Sequence, residues 1–302
     1  MRAVWSFWTK PFEYDRSAAW YSEKHHLLSW ILSLEVARRH YPQTCLITDS
    51  PGARMLVDGL GLEFETVSTC LDSLRHCHPD WWALGKLHAY RHQEVPFVHI
   101  DSDVYLWSRL PSRLETAAVF AQSPESFPFE GESWYRPGAC VEALESGGGM
   151  VPEEWRWAVA ERCNRAACCG IFGGCEVEFI RYYADLGICS VEHPDNQAGW
   201  MRLGGNMADN LFIEQYSVIA CIEFHRRAQG RFLRRLKMQY LFPGAQEAYD
   251  PVCARKAGYT HLIGAAKRHP LLARRLEARV KADFPARYEA CLRYLSRAVR
   301  GG

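Results

Sequence analysis

The sequence predicts an α/β fold in which helices flank a mostly parallel mixed sheet. Short apolar segments alternate with helical patterns over the first third of the chain, which is typical of parallel strands covered by helices. The 302 residues are 48% hydrophobic and 24% charged, as in globular proteins that bury a large core. We expect one α/β domain over residues 1–270 and a basic, amphipathic helical extension over residues 271–302.

The first part of the chain predicts three strands separated by two helices. RAVWSFW alternates small or polar residues with aromatic ones, and TCLIT is apolar and ends at a Pro-Gly turn. A broad apolar stripe between them ends before Pro42. A period of two indicates a strand, and a period near 3.6 indicates a helix. The predicted elements are a strand at 2–8, a helix at 17–40, a strand at 44–48, a helix at 53–60 and a strand at 64–68.

The rest of the chain predicts further strands and helices around one glycine- and proline-rich stretch. Residues 123–149 carry many Pro, Gly and Glu residues and are predicted to be loops,. The other predicted elements are a helix at 84–93, strands at 96–107 and 117–122, helices at 153–163, 177–186 and 210–223, and basic helices over 271–299 that break near Pro285.

The formal net charge of +1 is the sum of two oppositely charged parts. Residues 1–225 carry a net charge of −12 and residues 226–302 one of +13. The small total argues against a general nucleic-acid binder, so we expect no nucleic-acid partner. The basic part predicts contact with an anion: a phosphate-bearing ligand, a membrane surface or the acidic part of the same fold.

The chain has no segment of roughly 18 uninterrupted apolar residues, and MRAVWSFWTKPF lacks the features of a signal peptide,. We therefore expect a cytoplasmic protein, with residues 271–300 available for peripheral contact at the inner face of the membrane. The 12 cysteines are scattered without a Cys-x-x-Cys pair, which favours reduced and mostly buried thiols,.

Asp101-Ser102-Asp103 follows the apolar segment PFVHI. Residues i and i+2 of a strand point to the same side, so the two carboxylates could bind one hard cation. In open α/β sheets the carboxyl ends of the strands are where ligands bind. An Asp-x-Asp pair is also common in surface turns, so both interpretations stay open for this motif alone.

A second motif, His261-Leu-Ile-Gly264-Ala-Ala-Lys267, lies near the carboxyl terminus. An imidazole can complete a metal site, a glycine lets a phosphate approach the backbone, and a lysine supplies positive charge. A turn followed by a solvated basic segment is the alternative interpretation.

Together these motifs resemble the signature pair of the retaining family 8 glycosyltransferases, the glycogenin-like and galactosyltransferase-like enzymes of the Rossmann-like GT-A fold. Lys86-Leu-His-Ala-Tyr90, ahead of the Asp-x-Asp strand, is similar to a Lys-Leu-His-aromatic segment of the glycogenins. One departure is that Lys267 is followed by Arg268-His269-Pro270, where the family usually has Pro-Trp. The resemblance therefore indicates a divergent branch.

The resemblance implies a role for each matching position. Asp101, Asp103 and His261 would hold Mn²⁺ or Mg²⁺, and Gly264 and Lys267 would contact the diphosphate of a UDP-sugar. The other positions implied in donor binding are Lys86 near the nucleotide or sugar, Trp5, Ser6 and Phe7 at the base and ribose, and Ser102 between the two aspartates.

Two further segments are similar to parts of the family's sugar pocket. Cys168-Cys-Gly170-Ile-Phe-Gly-Gly174 resembles an Asn-Ala/Thr-Gly-Val/Ile-Phe segment, with Cys168 in place of the asparagine. A packed core segment with a tight glycine turn is the alternative. The family's Asp-Gln pair corresponds either to Asp209-Asn210 or to Glu214-Gln215, so Asp209 and Glu214 are both candidates.

The function that the resemblance implies is metal-dependent transfer of a hexose from a UDP-sugar to an acceptor hydroxyl, with retention of configuration. The acceptor would be a glycan, a lipid-linked molecule or a protein. Two alternatives are a non-catalytic GT-A scaffold that binds nucleotide or a partner protein, and a metal-dependent nucleotidyltransferase. The latter usually needs a glycine-rich basic loop after the first strand, and Thr9-Lys-Pro-Phe-Glu13 does not provide one.

Overall fold

The chain divides into two compact units. The computed structural model describes residues 1–14, 19–131, 133–204, 207–227, 232 and 236–300, without the side chains of 298–300. The first unit comprises Met1–Arg75, Ile100–Arg109 and Ala254–Gly302, and the second comprises His76–His99 and Leu110–Cys253. Residues 271–300, predicted as an extension of the main domain, belong to the first unit together with the amino-terminal strands.

The structure is α/β, as predicted. Seven of the strands in the described residues form a mostly parallel, mixed sheet, and β5 and β9 form a separate antiparallel pair. The strands are β1 (Arg2–Phe7), β2 (Thr44–Thr48), β3 (Thr66–Ser68), β4 (Phe97–Ile100), β5 (Val104–Leu106), β6 (Val119–Ser126), β7 (Arg165–Gly174), β8 (Met238–Tyr240) and β9 (Tyr259–His261).

Helices occupy most of the segments between the strands. The α-helices are α1 (Thr9–Tyr14), α2 (Glu23–Ala37), α3 (Ser50–Ala53), α4 (Ala83–Arg91), α5 (Ser112–Glu115), α6 (Pro137–Ser146), α7 (Glu153–Ala160), α8 (Val177–Glu192), α9 (Gln197–Leu203), α10 (Met207–Leu211), α11 (Ser217–Arg227), α12 (Ala245–Tyr249), α13 (Pro251–Ala257), α14 (Pro270–Asp283) and α15 (Pro285–Arg300). Two π-helical segments are Arg54–Gly59 and Phe212–Tyr216, and 3₁₀ segments are Cys70–His76, Pro194–Asn196 and Gly264–Arg268.

In the first unit, β1, β2 and β3 are parallel neighbours, as the alternating pattern predicts. Trp5 pairs with Leu46, and Leu46 pairs in turn with Val67. Helix α2 is buried at every residue from His25 to Ala37, which explains why its sequence is apolar over a broad stripe. It begins at Glu23, later than predicted, and residues 17 and 18 of the predicted helix lie outside the described residues.

Arg287 joins the carboxyl-terminal helices to the rest of the first unit. Its guanidinium donates hydrogen bonds to the backbone oxygen of Gly61, to Glu35 Oε1 at 3.2 Å and to Glu63 Oε1 at 2.8 Å. The predicted break near Pro285 is confirmed, because α14 ends at Asp283 and α15 begins at Pro285. Part of the carboxyl-terminal basic charge is therefore neutralised by acidic residues of the same unit.

In the second unit, β6 pairs antiparallel with β7 and parallel with β8. Strand β7 runs through to Gly174 with Ile171 and Phe172 fully buried. The core packing in the alternative interpretation is therefore confirmed, and its tight glycine turn is wrong. An added Cβ would lie 2.0 Å from the Phe97 oxygen at Gly173 and 2.1 Å from the Ala118 oxygen at Gly174. The two glycines are therefore needed for close strand packing.

The predicted loop at 123–149 is wrong over much of its length. Strand β6 continues to Ser126, and α6 spans Pro137–Ser146 with proline at its first position. A proline is well tolerated there because the first N–H groups of a helix have no partner within the helix. No helix in the described part of the chain is long and apolar enough to cross a membrane.

Candidate functional site

The two aspartates lie in a turn, not along a continuous strand. Strand β4 ends at Ile100, β5 begins at Val104, and Val104 N donates to the Asp101 oxygen at 2.9 Å. The single strand predicted over residues 96–107 is therefore wrong, and so is the argument from strand alternation. The turn nevertheless brings Asp101 and Asp103 together, because it folds the backbone between them.

Two serines of α2 hold this turn in place. Ser29 Oγ donates to the Ser102 oxygen at 2.7 Å, and Ser33 Oγ donates to the Asp101 oxygen at 3.2 Å. Ser29 Oγ also shares a hydrogen bond of 2.8 Å with the Tyr105 hydroxyl. The backbone carbonyls of Asp101 and Ser102 are thus satisfied from α2, which fixes the turn that carries the two carboxylates,.

Strand β9 brings His261 to the aspartates. In the antiparallel β5–β9 pair, Val104 lies opposite His261, and Leu262 N donates to the Asp103 oxygen at 2.9 Å. His261 Nε2 consequently lies 3.5 Å from Asp103 Oδ1. The carboxyl-terminal motif is therefore adjacent to the Asp-x-Asp motif, as the sequence predicts.

Asp101, Asp103 and His261 form a cluster that fits a small divalent cation. One ligand atom from each residue lies within 4.8 Å of the other two, with Asp103 buried and the other two residues half-buried. Ligands that bind Mg²⁺ at about 2.1 Å lie up to about 4.2 Å apart across the ion, so small side-chain rotations suffice. Two carboxylate oxygens and an imidazole nitrogen also suit Mn²⁺.

Lys267 brings positive charge to the same carboxylates. Its Nζ atom lies 2.5 Å from Asp103 Oδ2 and 5.6 Å from the centre of the Trp20 ring. Burial alone would raise the pKa of Asp103, but Lys267 and His261 beside it lower that pKa well below its usual range. Asp103 is therefore ionised and able to bind a cation at neutral pH.

Gly264 offers an open stretch of backbone near Lys267. Its φ angle is +53°, and an added Cβ would meet no atom within 4 Å. Gly264 is the first residue of the 3₁₀ segment Gly264–Arg268. Tyr21 N donates a hydrogen bond to the backbone oxygen of Lys267 at 3.0 Å. A phosphate oxygen can approach this backbone without meeting a side chain.

The amino-terminal candidates are less open to a ligand than the sequence suggests. Trp5 is fully buried, and its Nε1 donates to Ser33 Oγ at 2.9 Å. The Phe7 side chain is also buried and packs against Phe12 and Trp30, while Ser6 is half-buried. The Trp5 side chain therefore belongs to the core, and a place for residues 5–7 at the base and ribose stays a prediction that would rest on Ser6 and the strand backbone.

A second cluster, in the second unit, contains Lys86 and Glu214. Lys86 Nζ lies 2.6 Å from Glu214 Oε1 and donates to the Cys169 oxygen at 3.1 Å. The Tyr90 hydroxyl donates to the same Glu214 oxygen at 3.1 Å. Glu214 is fully buried, and its Oε2 atom has no hydrogen-bond partner among the described residues. One carboxylate oxygen thus keeps its capacity to accept a hydrogen bond.

Of the two candidates for the acidic pocket residue, only Glu214 contacts Lys86 in this way. Glu214 lies in the π-helical segment Phe212–Tyr216, and such segments occur often at functional sites,. Asp209 is buried with one oxygen 3.6 Å from Arg136 Nη2. Asn210, beside it, bonds the Ala83 N–H and the Asp80 oxygen at the start of α4, which is a structural role.

Gly170 lies inside β7, with Cys168 and Cys169 buried on the same strand. Sequence reasoning missed Ser29 and Ser33, which position the Asp-Ser-Asp turn, and the Lys86–Glu214 pair. A signal existed for the serines: they are polar residues four apart in an otherwise apolar helix, a spacing that places both on one face. No local pattern connects Lys86 with Glu214.

Comparison with known proteins places the chain in a family. Residues 1–294 match the family of unknown function DUF6734, and the chain belongs to that family. No curated protein matches the chain significantly.

Proposed function

We propose that this member of the DUF6734 family is a divalent-metal-dependent glycosyltransferase of the GT-A fold, which moves a hexose from a UDP-sugar to an acceptor hydroxyl. The observation that carries the proposal is the convergence of Asp101, Asp103 and His261, with Lys267 Nζ at 2.5 Å from Asp103. The mostly parallel sheet and the resemblance of these motifs to family 8 support the fold and the reaction class.

The residues of the first unit account for binding of the diphosphate. Asp101, Asp103 and His261 would hold Mn²⁺ or Mg²⁺, and the ion supplies Lewis-acid stabilisation of the leaving diphosphate. Lys267 adds positive charge where negative charge grows in the transition state. Gly264 presents an open backbone to the phosphates, and Ser102 keeps the two aspartates in register through its bonded carbonyl.

For the second unit, the resemblance supports a role in binding sugar hydroxyls. Glu214 is the stronger candidate, because its Oε2 atom has no hydrogen-bond partner among the described residues. That atom is buried, so a sugar hydroxyl would reach it only after a local rearrangement of the surrounding side chains. Lys86 holds the other oxygen of that carboxylate, so it fixes the orientation of Glu214. Asp209, also buried and 3.6 Å from Arg136 Nη2, is the alternative that the resemblance leaves open. Retention of configuration would follow from front-face attack assisted by the departing phosphate.

Binding of metal and donor tests the proposal. Purified protein with Mn²⁺ and a panel of UDP- and GDP-sugars should show donor-dependent thermal stabilisation and slow release of UDP. Asp103→Asn should lose both responses. The matched control is Asp58→Asn, which removes an exposed carboxylate of the same unit. If no nucleotide sugar stabilises the wild-type protein, the proposed function is wrong.

The same experiment separates the alternatives. A non-catalytic scaffold would bind nucleotide without releasing UDP over hours with any acceptor, whether glycan, lipid-linked or protein. A nucleotidyltransferase would release pyrophosphate from a nucleoside triphosphate. Release of UDP only in the presence of one acceptor class would identify the protein as a glycosyltransferase and would also identify its class of acceptor.

A further inference from the structure

Helix α14 exposes an apolar line. Leu271, Ala278 and Ala282 are all exposed, and Leu271 retains 56% of its accessible surface. These positions are i, i+7 and i+11, and at 3.6 residues per turn they lie along one side of the helix. The opposite side packs against α2 and α15 through buried Ala273, Leu276 and Val280. The apolar line therefore faces away from the core of the unit.

Basic residues flank this line on both sides. Arg274 and Lys281 lie on one flank and Arg275 and Arg279 on the other, by the same helical geometry. All four are exposed. An exposed leucine between two basic rows suits contact with an anionic membrane surface, in which electrostatic attraction provides most of the binding and the apolar side chain a smaller part.

Acidic residues neutralise little of this face. Arg279 is paired with Asp283 at 2.8 Å, whereas Arg274, Arg275 and Lys281 have no carboxylate within salt-bridge distance among the described residues. Lys281 Nζ lies 5.8 Å from the centre of the Tyr288 ring, a contact that leaves its charge in place. The other acid of the helix, Glu277, is turned towards Lys24 at 2.7 Å and Tyr288 at 2.7 Å. The intramolecular explanation of the basic charge thus holds for Arg287 and Arg279 but not for these three residues.

We propose that the exposed face of α14 binds the surface of an anionic lipid bilayer. The three unneutralised cations would contact lipid headgroups, and Leu271 would enter the boundary between headgroups and acyl chains. Helix α14 begins at Pro270, three residues after Lys267. Binding in this way would place the metal ligands of the same unit near a membrane, where a lipid-linked acceptor is present. The lipid contact itself does not depend on the proposed enzyme activity.

Co-sedimentation with vesicles tests the lipid contact. The full chain should pellet with vesicles of phosphatidylcholine and phosphatidylglycerol, less so with added salt, and not with phosphatidylcholine alone. Each Lys or Arg near an anionic surface contributes about fivefold in affinity, so Arg274→Gln/Arg275→Gln/Lys281→Gln should bind roughly 100-fold more weakly. Leu271→Ser should bind about tenfold more weakly because it loses the buried apolar side chain.

A charge-matched variant controls for net charge. Arg54→Gln/Arg255→Gln/Lys256→Gln removes three exposed basic residues of the same unit outside α14 and should keep most of the vesicle binding. All substituted side chains are exposed, so circular dichroism should show wild-type folding in each variant. Three results would overturn the proposal. They are the same loss of vesicle binding in both triple variants, equal binding to neutral and anionic vesicles, and binding to a soluble polyanion such as heparin without binding to vesicles.

Discussion

The ammonium group of Lys267 lies 2.5 Å from Oδ2 of Asp103, so one side chain of the protein already provides a cation at the carboxylate that we propose to bind a metal. The binding of Mn²⁺ alone must compete with this contact. In the presence of a diphosphate, Lys267 has a second anion to contact, and the competition is relieved. Metal and nucleotide should therefore bind with positive coupling.

Replacing Lys267 by methionine tests this competition. Lys267→Met should bind Mn²⁺ about tenfold more tightly in the absence of nucleotide, since a hydrogen bond to a charged group contributes about 1.5 kcal/mol or more. The same variant should bind UDP more weakly. Isothermal titration calorimetry with each ligand measures both effects. Unchanged or weaker Mn²⁺ affinity would contradict the competition, and Lys256→Met, at an exposed position, is the control.

The Lys86–Glu214 pair should contribute strongly to stability. Lys86→Met or Glu214→Gln alone leaves a buried charge without its counter-charge, and such changes cost about 3–5 kcal/mol. The loss in the free energy of unfolding should be smaller in the double variant than the sum of the two single losses, by at least ~1 kcal/mol, because no unpaired charge remains. Urea unfolding gives the three values. Strict additivity would show that the two side chains do not interact.

Two glycines should respond differently to alanine. Gly173→Ala should destabilise the protein by about 3 kcal/mol or more, because its Cβ would lie 2.0 Å from the Phe97 oxygen,. Gly264→Ala should cost only about 1–2 kcal/mol, because it adds left-handed backbone strain without a collision,. Gly264→Ala should also weaken UDP binding in the presence of Mn²⁺. If Gly264→Ala binds UDP as tightly as the wild type does, Gly264 does not contact the nucleotide.

His26 should make stability depend on pH. Burial lowers its pKa to about 3, with a further contribution from Lys267, whereas the unfolded chain has the usual value of 6.5. The unfolded state therefore binds more protons below pH 6.5, and stability falls as the pH decreases towards 3. Between pH 7.5 and pH 5 the loss from this residue should be about 2 kcal/mol.

His26→Gln tests the assignment. His26 Nε2 accepts a hydrogen bond from Trp30 Nε1 at 3.1 Å, and glutamine can accept the same bond without titrating. The variant should lose less stability than the wild type between pH 7.5 and pH 5, as measured by urea unfolding at each pH. Other buried histidines, including His25 with its lowered pKa, contribute equally to both proteins. An identical pH dependence would exclude His26 as a cause.

Sequence periodicity was sufficient to predict the elements that are buried on both sides. Strands β1 and β2 and the body of α2 are rich in apolar residues with a clear period, so their type and most of their bounds could be predicted. Helix α6 was missed because Pro137 and Gly138 at its start are also the residues that favour turns,. Its inner residues, such as Val141 and Leu144, show the helical spacing, but the surrounding Gly-rich segment hides it.

The grouping of Asp101, Asp103 and His261 could be predicted from motifs, but its geometry could not. Whether residues 101–103 continue a strand or form a turn depends on the bonds from Ser29 and Ser33, which lie far away in the sequence. The orientation of Trp5 depends equally on Ser33. The Lys86–Glu214 pair joins two elements of the second unit through tertiary packing, and no short motif encodes it. Local patterns therefore identified the residues of the candidate site, while distant contacts determined how they are held.

The antiparallel pairing of β5 with β9 has a consequence for biosynthesis. Residues 110–253, most of the second unit, lie between these two strands in the sequence. A ribosome therefore synthesises the two aspartates long before it reaches His261, and β5 remains an unpaired edge during that interval. A nascent chain cannot bring Asp101, Asp103 and His261 together until His261 has been synthesised. A chain truncated before residue 259 would contain Asp101 and Asp103 without His261, and β5 would have no partner strand. We expect chaperones to bind such an exposed strand edge and proteases to cleave it.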